Sequence, residues 1–437
     1  MRSCDHRWLR RAIAAGVSAA VAATCVACHR NAGRSSLDEA ARTYVGLALA
    51  LGDRDADSLD SYHGPPPWQA AARREHATLA EIRRRAVALA NTLNSERAGE
   101  TAEAATRRAF LTGQLSAIRS RIDILQGARP SFADETRVLF GLDVGETAPS
   151  TDRSAHQPGS SADAARLDLD RLLPGGGDLA TRYAAFDRQF LVGADRLPAV
   201  LSRAIEGCRA ATRAHLELPA GERVEVEYVH DLPWSAFTRY EGRSISRVQV
   251  NAGMPLTVDR ALDLACHETY PGHHTIAVLV DARFGETRPE FFVQPLFSMQ
   301  SALHEAASSL APGLAFSEAA RTDFERDELF PLAGLDPAQA ARHVAAGRLV
   351  DRLHTIEADI ARKYLDGALD FPRAAAALER EALMPSADAT LKFLNQFRSY
   401  AATYTLGRDL LEGAVDRDWA AYRRAVTDPA QRLPPPR

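Results

Sequence analysis

Apolar residues recur every three or four positions over most of the chain, which is the spacing of an amphipathic helix. One helix is predicted from Ser35 or Ser36 to about Leu51, and another from about Leu179 to Leu216. The clearest stripes are Leu79, Ile82, Ala86 and Leu89, which follow a helix start at Pro65-Pro66-Pro67-Trp68; Leu111, Leu115, Ile118, Ile122 and Leu125; and Leu349, Leu353, Ile356 and Ile360, which continue to Tyr364. The pattern predicts a mainly α fold, a large helical bundle.

The alternation of apolar and polar residues that is typical of strands is clear at two places only. One set is Val224, Val226 and Tyr228, and the other is Ser246, Val248 and Val250, just before Asn251. A small β-sheet is therefore predicted beside the helix that starts at Thr257 or Asp259. A hairpin that only covers the helices is one interpretation of these two strands.

The length of 437 residues, with 46% hydrophobic and 25% charged residues, is enough for a large core. Residues 143–178 are rich in Gly, Ser, Asp and Pro, which predicts a loop-rich, exposed segment around a short helical piece. Residues 35–437 are otherwise predicted to form a single helical domain. The net charge of -4, with basic residues scattered opposite acidic ones, gives no indication of a nucleic-acid partner.

The N-terminus has the pattern of an export signal. Four arginines precede an Ala-rich apolar run from Ala12 to about Cys28, and this run is too short and too weakly apolar for a membrane span. Residues 1–28 are therefore predicted to be a signal peptide. Because Val26-Ala27-Cys28 resembles the end of a lipoprotein signal, Cys28 is predicted to carry a lipid anchor. The expected location is the periplasm, either free or as a membrane-anchored lipoprotein.

Two cysteines, Cys208 and Cys266, lie in the predicted folded body. Both fall within apolar helical patterns, which favours two buried, reduced thiols. A disulfide between them is the alternative that an oxidising compartment would permit.

Metal-binding and acid/base side chains lie close together at only one place, Cys266-His267-Glu268-Thr269-Tyr270-Pro271-Gly272-His273-His274. Zinc hydrolases use a helical His-Glu pair with a second His one turn later: the imidazoles hold the metal and the Glu moves a proton of water. Here the second His is late. In an unbroken helix, His273 would point about 120° away from His267, and His274 would lie roughly 10 Å further along.

Pro271 cannot continue the helix, and Gly272 gives the backbone freedom to fold back. The break is therefore predicted to bring His273 or His274 to His267, which would form a metal site. The alternative is an ordinary helix C-terminus at Gly272, with the histidines at its negative end.

The eight residues from His267 to His274 match the signature His-Glu-x-x-Pro-Gly-His-His. The chain thereby resembles a large bacterial family called domain of unknown function eight-eight-five, which is grouped with the thermolysin-like, or gluzincin, metallopeptidases. The resemblance continues weakly through residues 208–216 and 328–336. It implies a zinc peptidase with His267 and His273 as ligands, and His274 as the alternative second ligand or a substrate-binding residue.

The resemblance also implies residues outside the motif. The family's third ligand is a downstream Glu, which corresponds to Glu305 within a predicted helix from Ser298 to Leu310. An edge strand beside the metal holds the substrate backbone in thermolysin-like peptidases, so residues 248–252, with Asn251, are the candidate here. Tyr404 and Gly407 are similar to the family's closing Tyr-x-x-Gly element. Tyr404, and after it Arg398, are therefore candidates to stabilise an oxyanion.

This chain departs from the family at two places. The family's Glu-Gly-Trp-Ala-x-Tyr is here Glu305-Ala306-Ala307-Ser308-Ser309-Leu310, and Ile276 stands where the family has Gln. These changes concern the surroundings of the metal and the substrate pocket more than the ligands.

The sequence and the resemblance together lead to the hypothesis of an exported zinc-dependent hydrolase of peptide bonds. Glu268 is the predicted catalytic base, and zinc is the predicted cofactor. The expected partner is a peptide or another small amide. Two alternatives stay open: a catalytically inactive helical envelope binding protein derived from such a peptidase, and a zinc amidohydrolase that acts on a non-peptide amide.

Overall fold

The computed structural model describes residues 36–95, 100–144, 161–232, 234–285 and 287–433, so the predicted signal peptide and Cys28 lie outside the described residues. The described chain is mainly helical, with one two-stranded and one three-stranded sheet, which confirms the predicted fold class. The helices are α1 36–54, α2 Pro66–Glu75, α3 Leu79–Ser95, α4 Ala102–Leu125, α5 Phe132–Glu135, α6 Ser161–Leu172, α7 Leu179–Asp187, α8 Leu197–Arg213, α9 Val258–Glu268, α10 His273–Phe284, α11 Met299–Ala315, α12 Glu318–Phe324, α13 Phe330–Ala333, α14 Ala340–Asp351, α15 His354–Leu365, α16 Phe371–Glu381, α17 Ala387–Phe397, α18 Leu406–Val415 and α19 Trp419–Thr427. The strands are β1 Ser61–Tyr62, β2 Arg223–Val229, β3 Ala236–Gly242, β4 Ile245–Asn251 and β5 Val293–Gln294.

Three helices predicted as continuous are interrupted. The helix predicted from Pro65 onward is α2 and α3, and His76 ends α2 in the left-handed conformation, with φ 51°. The helix predicted over 179–216 is α7 and α8, and the stripe from Leu349 is shared by α14 and α15. The apolar spacing persists across these breaks because the two helices of each pair contribute to the same buried cluster.

Two clusters of buried apolar side chains form the core, and the motif lies where they meet. The first cluster is built mainly by α1, α3, α4, α10, α18 and α19. The second is built mainly by α6, α8, α9 and α14 to α17, and α6 packs its buried Ala165 and Leu169 there within the predicted loop-rich segment. Helix α11 contributes Ala306 to the first cluster and Ala311 to the second.

The three-stranded sheet has the order β2-β4-β3, with β4 parallel to β2 and antiparallel to β3. The two predicted strands are therefore present, but they do not form a hairpin. The prediction that residues 248–252 form an edge strand is also wrong, since β4 is paired on both sides. The edge strands of this sheet are β2 and β3. The sequence pattern missed β3 because Thr238, Arg239 and Glu241 interrupt any apolar alternation.

Cys208 and Cys266 form a disulfide that joins α8 to α9. The prediction of two reduced thiols is therefore wrong. The helices pack side by side and bring the two buried cysteines to a Cα separation of 5.4 Å, which a disulfide can span. The bridge fixes the residue immediately before His267.

Candidate metal centre

The helix break at the motif has the predicted form. α9 ends at Glu268 and α10 begins at His273, so the chain leaves the helix around Pro271-Gly272. The Gly272 amide donates to the Cys266 carbonyl at 3.0 Å, and a Cβ on Gly272 would lie only 1.8 Å from the His267 carbonyl oxygen. Only glycine allows this approach. The turn places His273 Nε2 at 3.2 Å from His267 Nε2.

Glu305 completes a cluster of three potential metal ligands with His267 and His273. Its helix, α11, begins just after Ser298, whose hydroxyl caps the Ser301 amide. Glu305 Oε1 lies 2.8 Å from His267 Nε2, and Oε2 lies 3.4 Å from His273 Nε2. In a tetrahedral zinc site with ligands at about 2.1 Å, neighbouring donor atoms are roughly 3.4 Å apart. The three separations are close to this value.

The chemistry of the donor set also fits zinc. Two imidazole nitrogens and one carboxylate oxygen are a common set of protein ligands in catalytic zinc sites, with a fourth position left for water. Glu305 is buried, and its Oε1 accepts no well-aligned hydrogen bond, although His267 Nε2 lies close to it. A buried carboxylate oxygen without a donor is costly unless a cation completes it. Within the described ranges, no other group of His, Cys, Asp or Glu converges in this way.

The histidines and carboxylates of the cluster stabilise each other's charged forms. Burial alone would lower the pKa of His273, but the carboxylates of Glu305, Glu268 and Asp60 outweigh burial and raise the pKa to about 9. Burial would raise the pKa of Glu305, whereas His273 and His267 hold it well below its ordinary value. Without a metal, the cluster therefore keeps a proton on His273, and a metal ion would have to displace that proton.

The residues around the cluster include both predicted catalytic groups. Glu268 is buried at the end of α9, and the Thr238 hydroxyl on β3 donates to its Oε2 at 2.6 Å. The Tyr404 ring stacks on the His267 ring with 6.0 Å between centroids. The Tyr400 hydroxyl donates to Glu305 Oε2 at 2.6 Å.

Thr238 and Tyr400 were not predicted from the sequence. Tyr400 precedes Tyr404 by four residues, so the helical spacing could have indicated that the two share a face. No local signal marks Thr238, because the contact depends on how β3 pairs with β4.

Three predicted residues are not brought to the cluster. His274 has a completely buried side chain, with Nδ1 2.8 Å from Ser246 Oγ and Nε2 3.0 Å from Glu222 Oε2. Neighbouring residues of a helix point about 100° apart, so His274 turns away from His267 and Glu305 when His273 faces them. It is neither the second ligand nor accessible to a substrate.

Asn251 and Arg398 have structural contacts instead. The Asn251 side chain donates to the carbonyls of Leu232 and Trp234, at 2.8 and 3.1 Å, and holds the loop that leads into β3. Arg398 donates to Glu135 Oε2 at 2.7 Å. Neither residue lines the cleft that contains the cluster, so neither is placed to touch a substrate.

A cleft of about 290 Å³ opens onto the cluster of His267, His273 and Glu305. Its lining residues are Ala56, Asp57, Leu59, Asp60, Trp234, Ala236, Phe237, Thr238, Arg239, Tyr240, Gln249, His267, Glu268, His273, Ala277, Gln294, Pro295, Leu296, Gln300, Ser301, His304, Glu305, Phe393, Phe397, Tyr400 and Tyr404. Burial, together with the nearby Glu305, Glu268 and Asp57, raises the pKa of Asp60 to about 7, although His273 opposes this shift. The cleft is thus an acidic site with aromatic walls.

Glu222 stabilises the helix break through hydrogen bonds to residues next to it. Its side chain is fully buried, its Oε1 accepts from Arg209 and Arg213 of α8, each at 2.7 Å, and its Oε2 accepts from Tyr270 and His274 on either side of the break. Burial would raise the pKa of Glu222, but these four donors outweigh burial and hold the pKa well below its ordinary value. This residue was not predicted, because it precedes β2, far from the motif in sequence.

Glu222→Gln is expected to destabilise the fold by about 1.5–3 kcal/mol, since it weakens hydrogen bonds to a buried charged group. The measurement is urea unfolding at neutral pH. Because the pKa of Glu222 is lower in the folded state, the carboxylate contributes stability at neutral pH and loses that contribution as the pH falls through the acidic range. The difference between variant and wild type should therefore shrink at acidic pH.

Glu225→Gln is the matched control for Glu222→Gln. Glu225 is half-exposed on β2 and, among the described residues, pairs with Arg223 and Arg247. Such surface pairs contribute about 0–1 kcal/mol. Equal stability losses in the two variants would mean that the Glu222 network does not hold the break.

Comparisons with known proteins give no family for this chain, since no family model and no curated protein matches it. Among solved structures, a candidate lipoprotein from Colwellia psychrerythraea is 14% identical with a TM-score of 0.48, covering 82% of this chain and 68% of that one. A candidate lipoprotein of unknown function from Shewanella oneidensis is 13% identical with a TM-score of 0.39, covering 84% and 74%. BsuCP is 11% identical with a TM-score of 0.41, covering 92% and 89%. With identities and TM-scores this low, the function has to be inferred from the chain's own site.

Proposed function

We propose that the protein is an exported zinc-dependent hydrolase of peptide bonds, with His267, His273 and Glu305 as the zinc ligands. The observation that carries this proposal is the convergence of these three side chains at separations of 2.8 to 3.4 Å on the floor of a cleft. Two of them come from one broken helix and the third from α11. The arrangement leaves one side of the cluster open to the cleft, where water and substrate would enter.

The residues around the cluster suit hydrolysis of an amide. A bound zinc ion would lower the pKa of water and polarise the carbonyl of the substrate. Glu268 is held by Thr238 beside the cluster, where it can accept a proton from the attacking water and return it to the leaving amine. Tyr404, on the wall beside His267, is the candidate donor to the oxyanion.

Strand β3 supports a peptide as the substrate. Among the described strands it pairs only with β4, and its residues from Ala236 to Tyr240 line the cleft. An extended peptide could therefore add to its other edge and be held by main-chain hydrogen bonds. This role was predicted for 248–252 and is now assigned to β3. A zinc amidohydrolase acting on another small amide would not need such an edge.

The departures from the resembled family fall outside the cleft. Ala306, Ala307 and Ile276 are buried in the first core cluster, and none of them lines the cleft. Ala306 lies where α11 packs on α18, with its Cβ 3.5 Å from the position that a Cβ on Gly407 would occupy. These positions act through packing, so they do not favour the alternative of an inactive binding protein.

The disulfide supports export. Disulfides persist in oxidising compartments and are rare in the bacterial cytosol. In the described part of the chain, no helix combines the length and apolar character needed to cross a membrane. The proposal keeps the lipid on Cys28 that the sequence predicts.

The proposal is tested by incubating the purified, zinc-loaded protein with a mixture of short peptides and identifying the products by mass spectrometry. We expect cleavage that stops when a chelator removes the metal and returns when zinc is added back. Cleavage of small non-peptide amides, with every peptide left intact, would favour the amidohydrolase. Stoichiometric zinc without cleavage of any amide would favour the binding protein.

A further inference from the structure

In the described part of the chain, four carboxylates line the cleft, and three of them have hydrogen-bond donors. Thr238 donates to Glu268, Tyr400 donates to Glu305, and Gln396 donates to Asp57 at 3.0 and 3.1 Å. Asp60 is the exception.

Asp60 lies next to β1 at the cleft wall. Its backbone amide is fixed by the Gln294 carbonyl at 2.9 Å, but no described residue donates a hydrogen bond to its carboxylate or forms an ion pair with it. The carboxylate is partly buried in a cleft where His273 attracts its charge and Glu305, Glu268 and Asp57 repel it. A partly buried anion without a donor is unfavourable unless a ligand supplies the cation.

The charge balance indicates the nature of that ligand. Among the described residues, Arg239 is the only Lys or Arg that lines the cleft, and it is exposed. A zinc ion in the proposed site, together with Arg239, would neutralise three of the four carboxylates and leave one uncompensated. A cleft with one excess negative charge attracts cationic ligands and disfavours anionic ones.

We infer that Asp60 binds an ammonium group of the substrate, so that the site selects peptides carrying a positive charge close to the cleaved bond. This inference rests on the proposed zinc site and gives that site a substrate class. The ammonium group is either the free N-terminus of a peptide or a lysine side chain. Asp60 is a specificity residue here, since it would touch the substrate without taking part in the proton transfers.

The test uses zinc-binding hydroxamates that differ in their ammonium group, so that binding is measured without turnover. Alanine hydroxamate carries an α-ammonium, Nα-acetyl-lysine hydroxamate carries a side-chain ammonium, and N-acetylalanine hydroxamate carries neither. Dissociation constants are measured by calorimetry for the zinc-loaded wild-type protein and its Asp60→Asn and Asp60→Glu variants. Metal content is measured in parallel.

We expect the wild-type protein to bind one of the two ammonium compounds about tenfold or more tightly than N-acetylalanine hydroxamate, the size of a typical charge-assisted hydrogen bond. The preferred compound identifies the source of the ammonium. Asp60→Asn should lose this preference while keeping its affinity for N-acetylalanine hydroxamate and its zinc. Asp60→Glu should restore part of the preference, which a purely structural role would not explain.

Equal affinity of the wild-type protein for all three compounds would overturn the inference alone and leave the zinc site standing. An equal loss of affinity for all three compounds in Asp60→Asn would overturn the inference as well. Loss of zinc from that variant would also overturn it, and so would binding of a second zinc ion that depends on Asp60. If none of the compounds binds to the wild-type protein, both this inference and the proposed function fail.

Discussion

The purified protein is expected to bind about one zinc ion per chain, and Glu305→Ala is expected to lose it. Glu305 supplies the only carboxylate in the cluster, and its buried Oε1 accepts no well-aligned hydrogen bond. Losing a residue that merely orients a zinc ligand weakens binding about 10–100-fold, so losing the ligand itself should exceed that. The measurement is elemental analysis after dialysis, together with zinc titration against a competing chelator.

Two variants serve as controls for the zinc measurement. Tyr400→Phe removes the hydroxyl that donates to Glu305 but keeps all three ligands, so its zinc affinity should fall by about 10–100-fold without loss of the site. Glu241→Ala removes an exposed carboxylate of β3 and should leave zinc binding unchanged. If the wild-type protein takes up no zinc even when zinc is supplied, the cluster is not a metal site and the hydrolase proposal falls with it.

The pH dependence of zinc binding follows from the charge on His273. Because the neighbouring carboxylates raise the pKa of this imidazole to about 9, it is protonated at neutral pH in the metal-free protein. Zinc binding must then release that proton, so the apparent affinity should rise about tenfold per pH unit and level off near pH 9. An affinity independent of pH between 7 and 8.5 would mean that zinc binding does not release a proton from His273.

The sequence was informative where a local rule decides the outcome. Pro271 and Gly272 predict a break because a proline cannot continue the helix and only glycine fits the return, and the break brings His273 to His267. The choice between His273 and His274 was left open. It depends on Glu222 and Ser246, which hold His274 on the opposite side.

The rest of the site could not be predicted, because it depends on pairing between distant segments. Whether β4 is an edge or a central strand is decided by β3, whose sequence lacks a clear alternation. Asp60 reaches the cleft only because the neighbouring β1 pairs with β5, more than two hundred residues further along. Glu305 was placed by resemblance alone, since a glutamate within a helix is usually solvent-exposed.

Glu268→Gln is expected to keep the zinc ion and reduce peptide hydrolysis by about 10²–10⁴-fold, the usual contribution of a general base. Glutamine has nearly the shape of glutamate and can still accept the hydrogen bond from Thr238, so the fold and the cluster should be retained. What it lacks is the ability to take a proton from water. The measurement is kcat on a peptide that the wild-type protein cleaves, with zinc content determined on the same preparation.

The informative comparison for Glu268→Gln is Thr238→Val, which removes the hydroxyl held 2.6 Å from the Glu268 carboxylate but leaves the base in place. If Thr238 only orients Glu268, this variant should lose far less activity than Glu268→Gln and keep the same zinc content. If Glu268→Gln still hydrolyses the peptide and a chelator still abolishes that hydrolysis, Glu268 is excluded as the base. The reaction would then depend on the metal but not on Glu268. Loss of zinc from Glu268→Gln would instead make Glu268 part of the metal site. A base that does not contact the ion can be replaced without releasing the ion.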